Sequence, residues 1–260
     1  MTSYLAGPGP VAIAHRGGSL EAPENSRAAV EHTIGLGLQY FETDVRSTSD
    51  GVPVLVHDPT LDRVTNGIGR VADLTWDQVA RLRDSSGEPP LRLDELLADY
   101  PELRVNIDAK DDAAVAPLVK ALHQAGALDR VCVASFSDAR LRVLRAALGP
   151  AVATSLGSNG IRRLVVASRL PAAVQPGALR GLPDPAQGAV CVQVPTQHRN
   201  VPVVTRRFVE TAHRRELAVH VWTIDEPEEM TRLLDLGVDG LVTDRPSVLR
   251  DVLSSRGPWH

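Results

Sequence analysis

Short apolar runs alternate with longer segments of helical periodicity along almost the whole chain. Repetition of this kind is typical of βαβ units and a parallel sheet, and about eight repeats predict closure into a barrel. The sequence therefore predicts an α/β fold, a (β/α)₈ TIM barrel, with a doubly wound open sheet as the alternative. The predicted strands are Val11–Ala14, Tyr40–Val45, Pro53–Val56, Arg104–Ala109, Val131–Ser135, Val152–Ser155, Ala189–Val194, Ala218–Thr223 and Gly240–Thr243. The predicted helices include Ser26–Gly35, Ala113–Gly126, Asp138–Leu148, Ile161–Ala167, Thr205–Arg214, Glu226–Leu236 and Ser247–Leu253.

Two stretches interrupt this alternation. Residues 59–90 contain the turn-forming sequences Thr65-Asn66-Gly67, Asp84-Ser85-Ser86-Gly87 and Pro89-Pro90. They include a short helical segment near Trp76–Arg83 and precede a helix predicted at Leu93–Tyr100. We interpret them as an insertion after the second strand region, within a single domain of residues 1–260. The Gly/Pro-rich stretch Pro171–Gly188 predicts a long loop. Long loops of barrels often carry binding residues, so either stretch could shape a pocket.

Composition narrows the class of protein. A chain of 260 residues fits one α/β barrel. Aromatic residues make up only 3% of it, so the core must consist mainly of Val, Leu, Ile and Ala, which suits parallel strands buried on both faces. The net charge of -4 argues against a nucleic-acid binder, because such proteins usually carry a basic excess.

The sequence also predicts where the protein works. The opening MTSYLAGPGP lacks the basic and apolar regions of a signal peptide. No apolar run approaches the roughly 20 residues that a membrane span requires. Cys132 and Cys191 lie in apolar runs without metal-ligand spacing, which predicts buried reduced thiols. We therefore expect a cytoplasmic protein without an integral membrane segment.

Two histidines, His15 and His57, each follow an apolar run and so stand at the end of a predicted strand. Active sites of α/β barrels lie at the C-terminal ends of the strands. Imidazole titrates near neutral pH, so one histidine could act as general base and the other as general acid. A single histidine there would more often be structural, and it is the repeated placement that predicts catalysis.

Three carboxylates stand at similar positions. Glu42 and Asp44 are two residues apart on a predicted strand, so their side chains share a face. Asp108, near the end of a later strand, could complete a set of hard oxygen ligands suited to Mg²⁺ or Ca²⁺. Without a cation, converging carboxylates repel and the pKa of one rises. Two alternatives stay open: a surface charge cluster at Glu42 and Asp44, and an Asp108–Lys110 pair that only fills the barrel end.

The remaining candidates would contact a substrate. Arg16 offers a planar donor for phosphate oxygens, and Lys110 a point charge on the same face as Asp108. Trp222 lies near the end of another strand, where it could form an apolar wall or pack in the core. The sequence contains no Gly-x-Ser-x-Gly elbow that would support a serine nucleophile. It also contains no Walker loop or Gly-x-Gly-x-x-Gly turn after a strand, so no motif supports nucleotide chemistry.

Taken together, these motifs resemble the glycerophosphodiester phosphodiesterase family. The matching blocks follow the family's order and span nearly the whole chain. They are His15-Arg16-Gly17-Gly18 with Ala22-Pro23-Glu24-Asn25-Ser26, Phe41-Glu42-Thr43-Asp44-Val45, Asp50-Gly51-Val52-Pro53-Val54, His57-Asp58, Val221-Trp222-Thr223-Ile224 and Gly237-Val238-Asp239-Gly240-Leu241-Val242-Thr243-Asp244-Arg245-Pro246.

The resemblance implies a (β/α)₈ barrel with an insertion after the second strand region. It implies that His15 and His57 are the acid–base pair. It also implies one divalent cation, Mg²⁺ or Ca²⁺, bound by Glu42, Asp44 and Asp108. The expected reaction is metal-dependent hydrolysis of glycerophosphodiesters to sn-glycerol 3-phosphate and an alcohol.

The resemblance further implies that Arg16 and Lys110 bind the phosphate and that Trp222 flanks the glycerol. The chain departs from the family at one point, because the family often has Glu-x-Lys where this sequence has Asp108-Ala109-Lys110. The shorter side chain would shift the cation or admit a water. An aspartate here is also found in related sphingomyelinase D-like and lysophospholipase D-like enzymes, which usually lack the long insertion. These enzymes and a catalytically silent phosphodiester-binding barrel are the alternatives.

Overall fold

A computed structural model describes residues 3–260 and contains a closed barrel of eight parallel strands. The barrel strands are β1 (Val11–Ala14), β2 (Tyr40–Ser47), β4 (Arg104–Ala109), β5 (Val131–Ala134), β6 (Ala153–Ser155), β7 (Ala189–Val194), β10 (Ala218–Val221) and β11 (Gly240–Thr243). Three short strands lie outside it: β3 (Pro53–Leu55), β8 (Gln197–His198) and β9 (Val201–Pro202). Met1 and Thr2 lie outside the described residues, so the expectation for the opening segment is covered only from Ser3 onward.

The first strand closes the barrel. β1 pairs along its whole length with β11, from Val11 opposite Gly240 to Ala14 opposite Thr243. Its other edge pairs with the start of β2, where Ile13 lies opposite Tyr40. Every barrel strand therefore has two parallel neighbours. The predicted (β/α)₈ barrel is confirmed, and the open-sheet alternative is excluded.

Helices connect the strands and cover the outside of the barrel. They are α1 (Arg27–Gly35), α2 (Trp76–Val79), α3 (Leu93–Asp99), α4 (Val115–Gln124), α5 (Asp138–Leu148), α6 (Ser158–Ser168), α7 (Gln175–Ala178), α8 (Arg206–His213), α9 (Pro227–Asp235) and α10 (Pro246–Ser254). Several begin at a side-chain cap, as in α1, where Ser26 Oγ accepts a hydrogen bond from the Ala29 amide. Within residues 3–260, no helix is long and apolar enough to cross a membrane.

The apolar core has two parts. Large clusters between the sheet and the helices contain residues such as Leu118, Leu144 and Phe208, all fully buried. A smaller cluster contains Ile13, Tyr40, Cys132, Cys191 and Val242 and fills the barrel interior. The two cysteines are free thiols with their Sγ atoms 3.7 Å apart, as expected from their apolar surroundings.

The interrupted stretches differ in detail from the sequence expectation. The predicted strand Pro53–Val56 forms β3, which runs antiparallel to β2 instead of joining the barrel. The insertion that follows packs around its own small core of Val54, Val56, Leu61, Val71 and Val79. Its helix α2 ends at Val79 and not near Arg83. The predicted loop Pro171–Gly188 contains the short helix α7, which was not predicted because it contains Pro and Gly.

Burial in the layer between helices and barrel generates a stability prediction. Leu118→Ala in α4 removes a fully buried side chain and should lower the free energy of unfolding by about 2–5 kcal/mol. Val143→Ala in α5 is the matched control because Val143 is 56% exposed, and the cost there should stay within about 0.5 kcal/mol. Urea unfolding measures both. Equal losses for the two variants would contradict this account of the core.

Candidate active site

A pocket of about 210 Å³ opens at the C-terminal mouth of the barrel. All eight site residues predicted from the sequence line it, although they come from separate segments of the chain. They are His15, Arg16, Glu42, Asp44, His57, Asp108, Lys110 and Trp222. Seven of them converge because the carboxyl ends of all barrel strands meet at one mouth. His57 instead follows β3, which pairs antiparallel with the far end of β2.

A sharp turn after β1 positions His15 and Arg16, the first two of these residues. Arg16 adopts a left-handed conformation with φ of 51°, and its backbone amide donates to Glu42 Oε2 at 3.0 Å. Gly17 follows with φ of +83°, and a Cβ there would come within 2.5 Å of Ala29 Cβ. Glycine is therefore required at this turn, since it tolerates both the conformation and the close approach.

His15 is oriented by a carboxylate from the far end of the chain. Its Nδ1 lies 2.8 Å from Asp244 Oδ1, and Ser19 Oγ donates to the same oxygen at 2.7 Å. Asp225 fixes the backbone of Asp244 by accepting its amide at 2.8 Å. Burial lowers the pKa of His15, but the negative charges of Glu42 and Asp244 outweigh it, so that the pKa is raised overall.

His57 has a similar partner next to it in the sequence. Its Nδ1 lies 2.7 Å from Asp58 Oδ1. Hydrogen bonds from Arg63 and His57 lower the pKa of Asp58 to about 2, so this carboxylate is ionised near neutral pH. A ring whose Nδ1 bonds a carboxylate keeps Nε2 for other partners. Both histidines therefore have Nε2 available for proton transfer.

The three carboxylates lie on neighbouring strands and are almost fully buried. The register of β2 with β4 puts Asp44 opposite Asp108 and Glu42 opposite Asn106. Glu42 and Asp108 are 7% exposed and Asp44 is 1% exposed. Burial, followed by the charge of Asp44, raises the pKa of Glu42 to about 7. Burial also raises the pKa of Asp108.

Two basic side chains partly balance these charges. Lys110 Nζ lies 2.7 Å from both Asp44 Oδ1 and Asp108 Oδ2, and Arg16 Nε lies 3.1 Å from Asp44 Oδ2. Burial would raise the pKa of Asp44, but Lys110 and Arg16 outweigh it and the pKa is lowered. Lys110 therefore contacts the carboxylates as well as facing the pocket.

The donor chemistry of this cluster fits a hard divalent cation. As the side chains stand, no group of three or more His, Cys, Asp or Glu in residues 3–260 surrounds a metal position. However, Asp108 Oδ1 is buried and has no hydrogen-bond partner. A buried carboxylate oxygen without a partner is costly, and Glu42 becomes fully ionised only above neutral pH. A cation that binds oxygen ligands would give Asp108 Oδ1 a partner and would stabilise the ionised form of Glu42.

The opposite side of the pocket is apolar. Trp222 packs edge-to-face against Phe136, with ring centroids 6.1 Å apart, and Leu156 and Ile161 extend this surface. Phe136 is 62% exposed, which is unusual for so large an apolar side chain. The pocket thus offers charged groups on one side and an apolar wall on the other.

Sequence reasoning missed several residues of this site. Asn25, named above only within a block that resembles the family, donates to Asp44 Oδ2 at 3.2 Å and accepts from Thr43 Oγ1 at 2.7 Å. Asp244 directly follows the last strand, and that position was the available signal. Phe136 likewise follows β5. His220 stands two residues before Trp222, but it does not line the pocket and is fully buried.

The contact between Asp244 and His15 generates a prediction that NMR titration can check. Asp244→Asn removes a negative charge that raises the pKa of His15, so that pKa should fall. Asp239→Asn is the matched control, because Asp239 forms a similar pair with His213, with Nε2 to Oδ2 at 2.7 Å, at the other end of β11. An unchanged His15 pKa in Asp244→Asn would contradict the proposed contact.

Comparisons with known proteins agree with this geometry. The sequence profile of the glycerophosphoryl diester phosphodiesterase family matches residues 15–248. A Mycobacterium tuberculosis protein named probable glycerophosphodiester phosphodiesterase 2 is 39% identical over 257 residues, covering 98% of this chain and 95% of the relative. A glycerophosphodiester phosphodiesterase of Caldanaerobacter subterraneus subsp. tengcongensis is 30% identical over 260 residues, covering 94% and 98%.

The fold is shared with solved structures as well. The crystal structure of a glycerophosphodiester phosphodiesterase from Agrobacterium tumefaciens superposes with a TM-score of 0.75 at 25% identity, covering 94% of this chain and 99% of that one. Profile, relatives and fold agree along nearly the full length. The chain therefore belongs to the glycerophosphoryl diester phosphodiesterase family.

Proposed function

We propose that this enzyme hydrolyses glycerophosphodiesters to sn-glycerol 3-phosphate and an alcohol by acid–base catalysis with a divalent cation. His15 and His57 are the acid–base pair in this proposal. The observation that supports it best is the pocket itself, in which two carboxylate-bonded histidines face a buried cluster of carboxylates and basic groups. A cytoplasmic location stays a prediction of the sequence.

Charge explains the need for such a cluster. A phosphodiester is anionic and repels nucleophiles, so Arg16 and Lys110 would neutralise its oxygens as charge grows in the transition state. Glu42, Asp44 and Asp108 would hold Mg²⁺ or Ca²⁺. When bound, the cation would polarise a phosphoryl oxygen as a Lewis acid. The shorter Asp108, where the family often has Glu, would leave room for a water beside it.

Proton transfer would then fall to the two histidines. Nε2 of His15 would take the proton of the attacking hydroxyl, and Nε2 of His57 would give a proton to the departing alcohol oxygen. The attacking hydroxyl is that of water or of the substrate's own glycerol, the second route passing through a cyclic phosphate. Trp222 would flank the glycerol, since the carbon side of a polyol packs well on an aromatic face.

One observation favours testing lysophospholipids as a second substrate class. Three large apolar side chains are exposed in segments that follow β1, β3 and β5, namely Leu20 at 66%, Ile68 at 81% and Phe136 at 62%. Of these three, Phe136 lines the pocket, where it could contact an acyl chain. This is the sphingomyelinase D-like or lysophospholipase D-like alternative.

A substrate panel tests the proposal together with its metal requirement. Glycerophosphodiesters and lysophospholipids are assayed with Mg²⁺, Ca²⁺, Mn²⁺ and a chelator. We expect release of sn-glycerol 3-phosphate from glycerophosphocholine that stops with chelator. Turnover of lysophospholipids alone would favour the lipid-acting alternative, and no turnover at all would favour a silent barrel.

Asp44→Ala should abolish both activity and calorimetric metal binding. Asp99→Ala is the control: Asp99 is an exposed carboxylate at the end of α3, and its removal should change neither. Full metal affinity in Asp44→Ala would refute the shared site.

The two histidines can be separated by the leaving group. His57→Ala should lose activity mainly on alkyl diesters, because an activated aryl alcohol needs little protonation as it departs. His15→Ala lacks the proposed base and should lose activity on both substrates alike. The kcat of each variant on aryl and alkyl diesters decides the assignment. Equal losses on both substrates for His57→Ala would leave the acid role without support.

A further inference from the structure

A chain of charged contacts connects the insertion to the active site. Its central residue is Arg63, which belongs to the segment after β3. Arg63 Nε donates to Asp58 Oδ2 at 2.6 Å, and its two terminal nitrogens donate to the two oxygens of Glu24 at 2.5 and 2.8 Å. One guanidinium therefore joins two carboxylates from different segments of the chain.

Asp58 is shared between Arg63 and His57. One of its oxygens lies 2.7 Å from His57 Nδ1, and the other accepts from Arg63. A carboxylate bound through a single oxygen can rotate about its Cβ–Cγ bond. Asp58 is bound through both oxygens, so the direction from which it meets His57 is fixed. Arg63 thereby controls the position of a group that contacts His57.

Glu24 anchors Arg63 from the loop after β1. The side chain of Glu24 is only 12% exposed, and it also accepts from Arg16 at 3.2 Å. Burial would raise the pKa of Glu24, but hydrogen bonds and charge from Arg63 and Arg16 lower it overall, so it stays ionised at neutral pH. A fork of two parallel hydrogen bonds also fixes the plane of the guanidinium.

We infer that Arg63 is a positioning residue: it clamps Asp58 between the insertion and the loop after β1, and so sets the orientation and tautomer of His57. This inference rests on the acid role proposed for His57. Arg63 is 50% exposed, so solvent screens its ion pairs, and the contacts described above fix geometry more than they stabilise the fold. The expected effect is therefore on the geometry of His57, while the folded state changes little.

The tautomer is the property most directly affected. A neutral imidazole that donates from Nδ1 to a fixed carboxylate carries its lone pair on Nε2, and Nε2 can then be reprotonated and face the leaving group. Without Arg63, Asp58 is free to rotate and the opposite tautomer becomes accessible. Lysine cannot substitute, because one ammonium does not provide the planar fork that bridges Asp58 and Glu24.

The experiment compares Arg63→Gln and Arg63→Lys with Arg81→Gln, which changes an exposed arginine of the same insertion. We expect kcat on an alkyl glycerophosphodiester to fall about tenfold in both Arg63 variants, with a much smaller loss on an aryl diester. Arg81→Gln should match the wild type on both substrates. In ¹⁵N spectra of the His57 ring, the share of the Nδ1–H tautomer should fall in the Arg63 variants only. Thermal unfolding checks that each variant is folded.

A double-mutant cycle tests whether Arg63 acts through Asp58. If it does, Asp58→Asn combined with Arg63→Gln should be no slower than Asp58→Asn alone. Additive losses, or an unchanged His57 tautomer in both Arg63 variants, would overturn the inference. His57→Ala in the same assays separates the two ideas. Equal losses there on aryl and alkyl substrates would remove the acid role, while the tautomer measurement would still decide whether Arg63 positions the ring.

Discussion

The burial of three carboxylates at one mouth of the barrel is the constraint on which the site depends. Like charges removed from water repel strongly, because the interior screens them poorly. The structure balances them with Lys110, Arg16 and a hydrogen bond from Asn25 to Asp44. Glu42 keeps a raised pKa and Asp108 Oδ1 keeps no partner, so the balance is incomplete. A site with this residual demand for positive charge is suited to a cation.

The barrel makes this arrangement possible because its strands are fixed in register on both edges. Asp44 lies opposite Asp108 only through the pairing of β2 with β4, and a slip of one residue would turn one carboxylate out of the barrel. Residues two apart then share a side, which is why Glu42 and Asp44 enter the same pocket. The strands carry the three carboxylates, whereas Arg16, Lys110, the histidines and most of the apolar wall lie in the segments that follow the strands.

Features encoded locally could be predicted from the sequence. β1 and β11 match their predicted bounds because each is a short run between turns, and all eight proposed site residues line one pocket because each lies in or just after a strand. Features that depend on distant residues could not. Helix α6 begins at Ser158, three residues earlier than predicted, because Asp138 of α5 accepts hydrogen bonds from its first turn. Asp244 lies 229 residues from His15, a contact that only barrel closure creates.

The two histidines are oriented by different parts of the fold, and closure of the barrel orients His15. Asp244 follows β11 and reaches His15 only because β11 pairs with β1, so the last strand both seals the barrel and orients the proposed base. Asp58 adjoins His57 in sequence, and the insertion fixes it through Arg63. Damage to the closing strand should therefore disturb proton removal, whereas damage to the insertion should disturb protonation of the leaving alcohol. In this proposal the insertion takes part in catalysis through Arg63, although none of its residues belongs to a barrel strand.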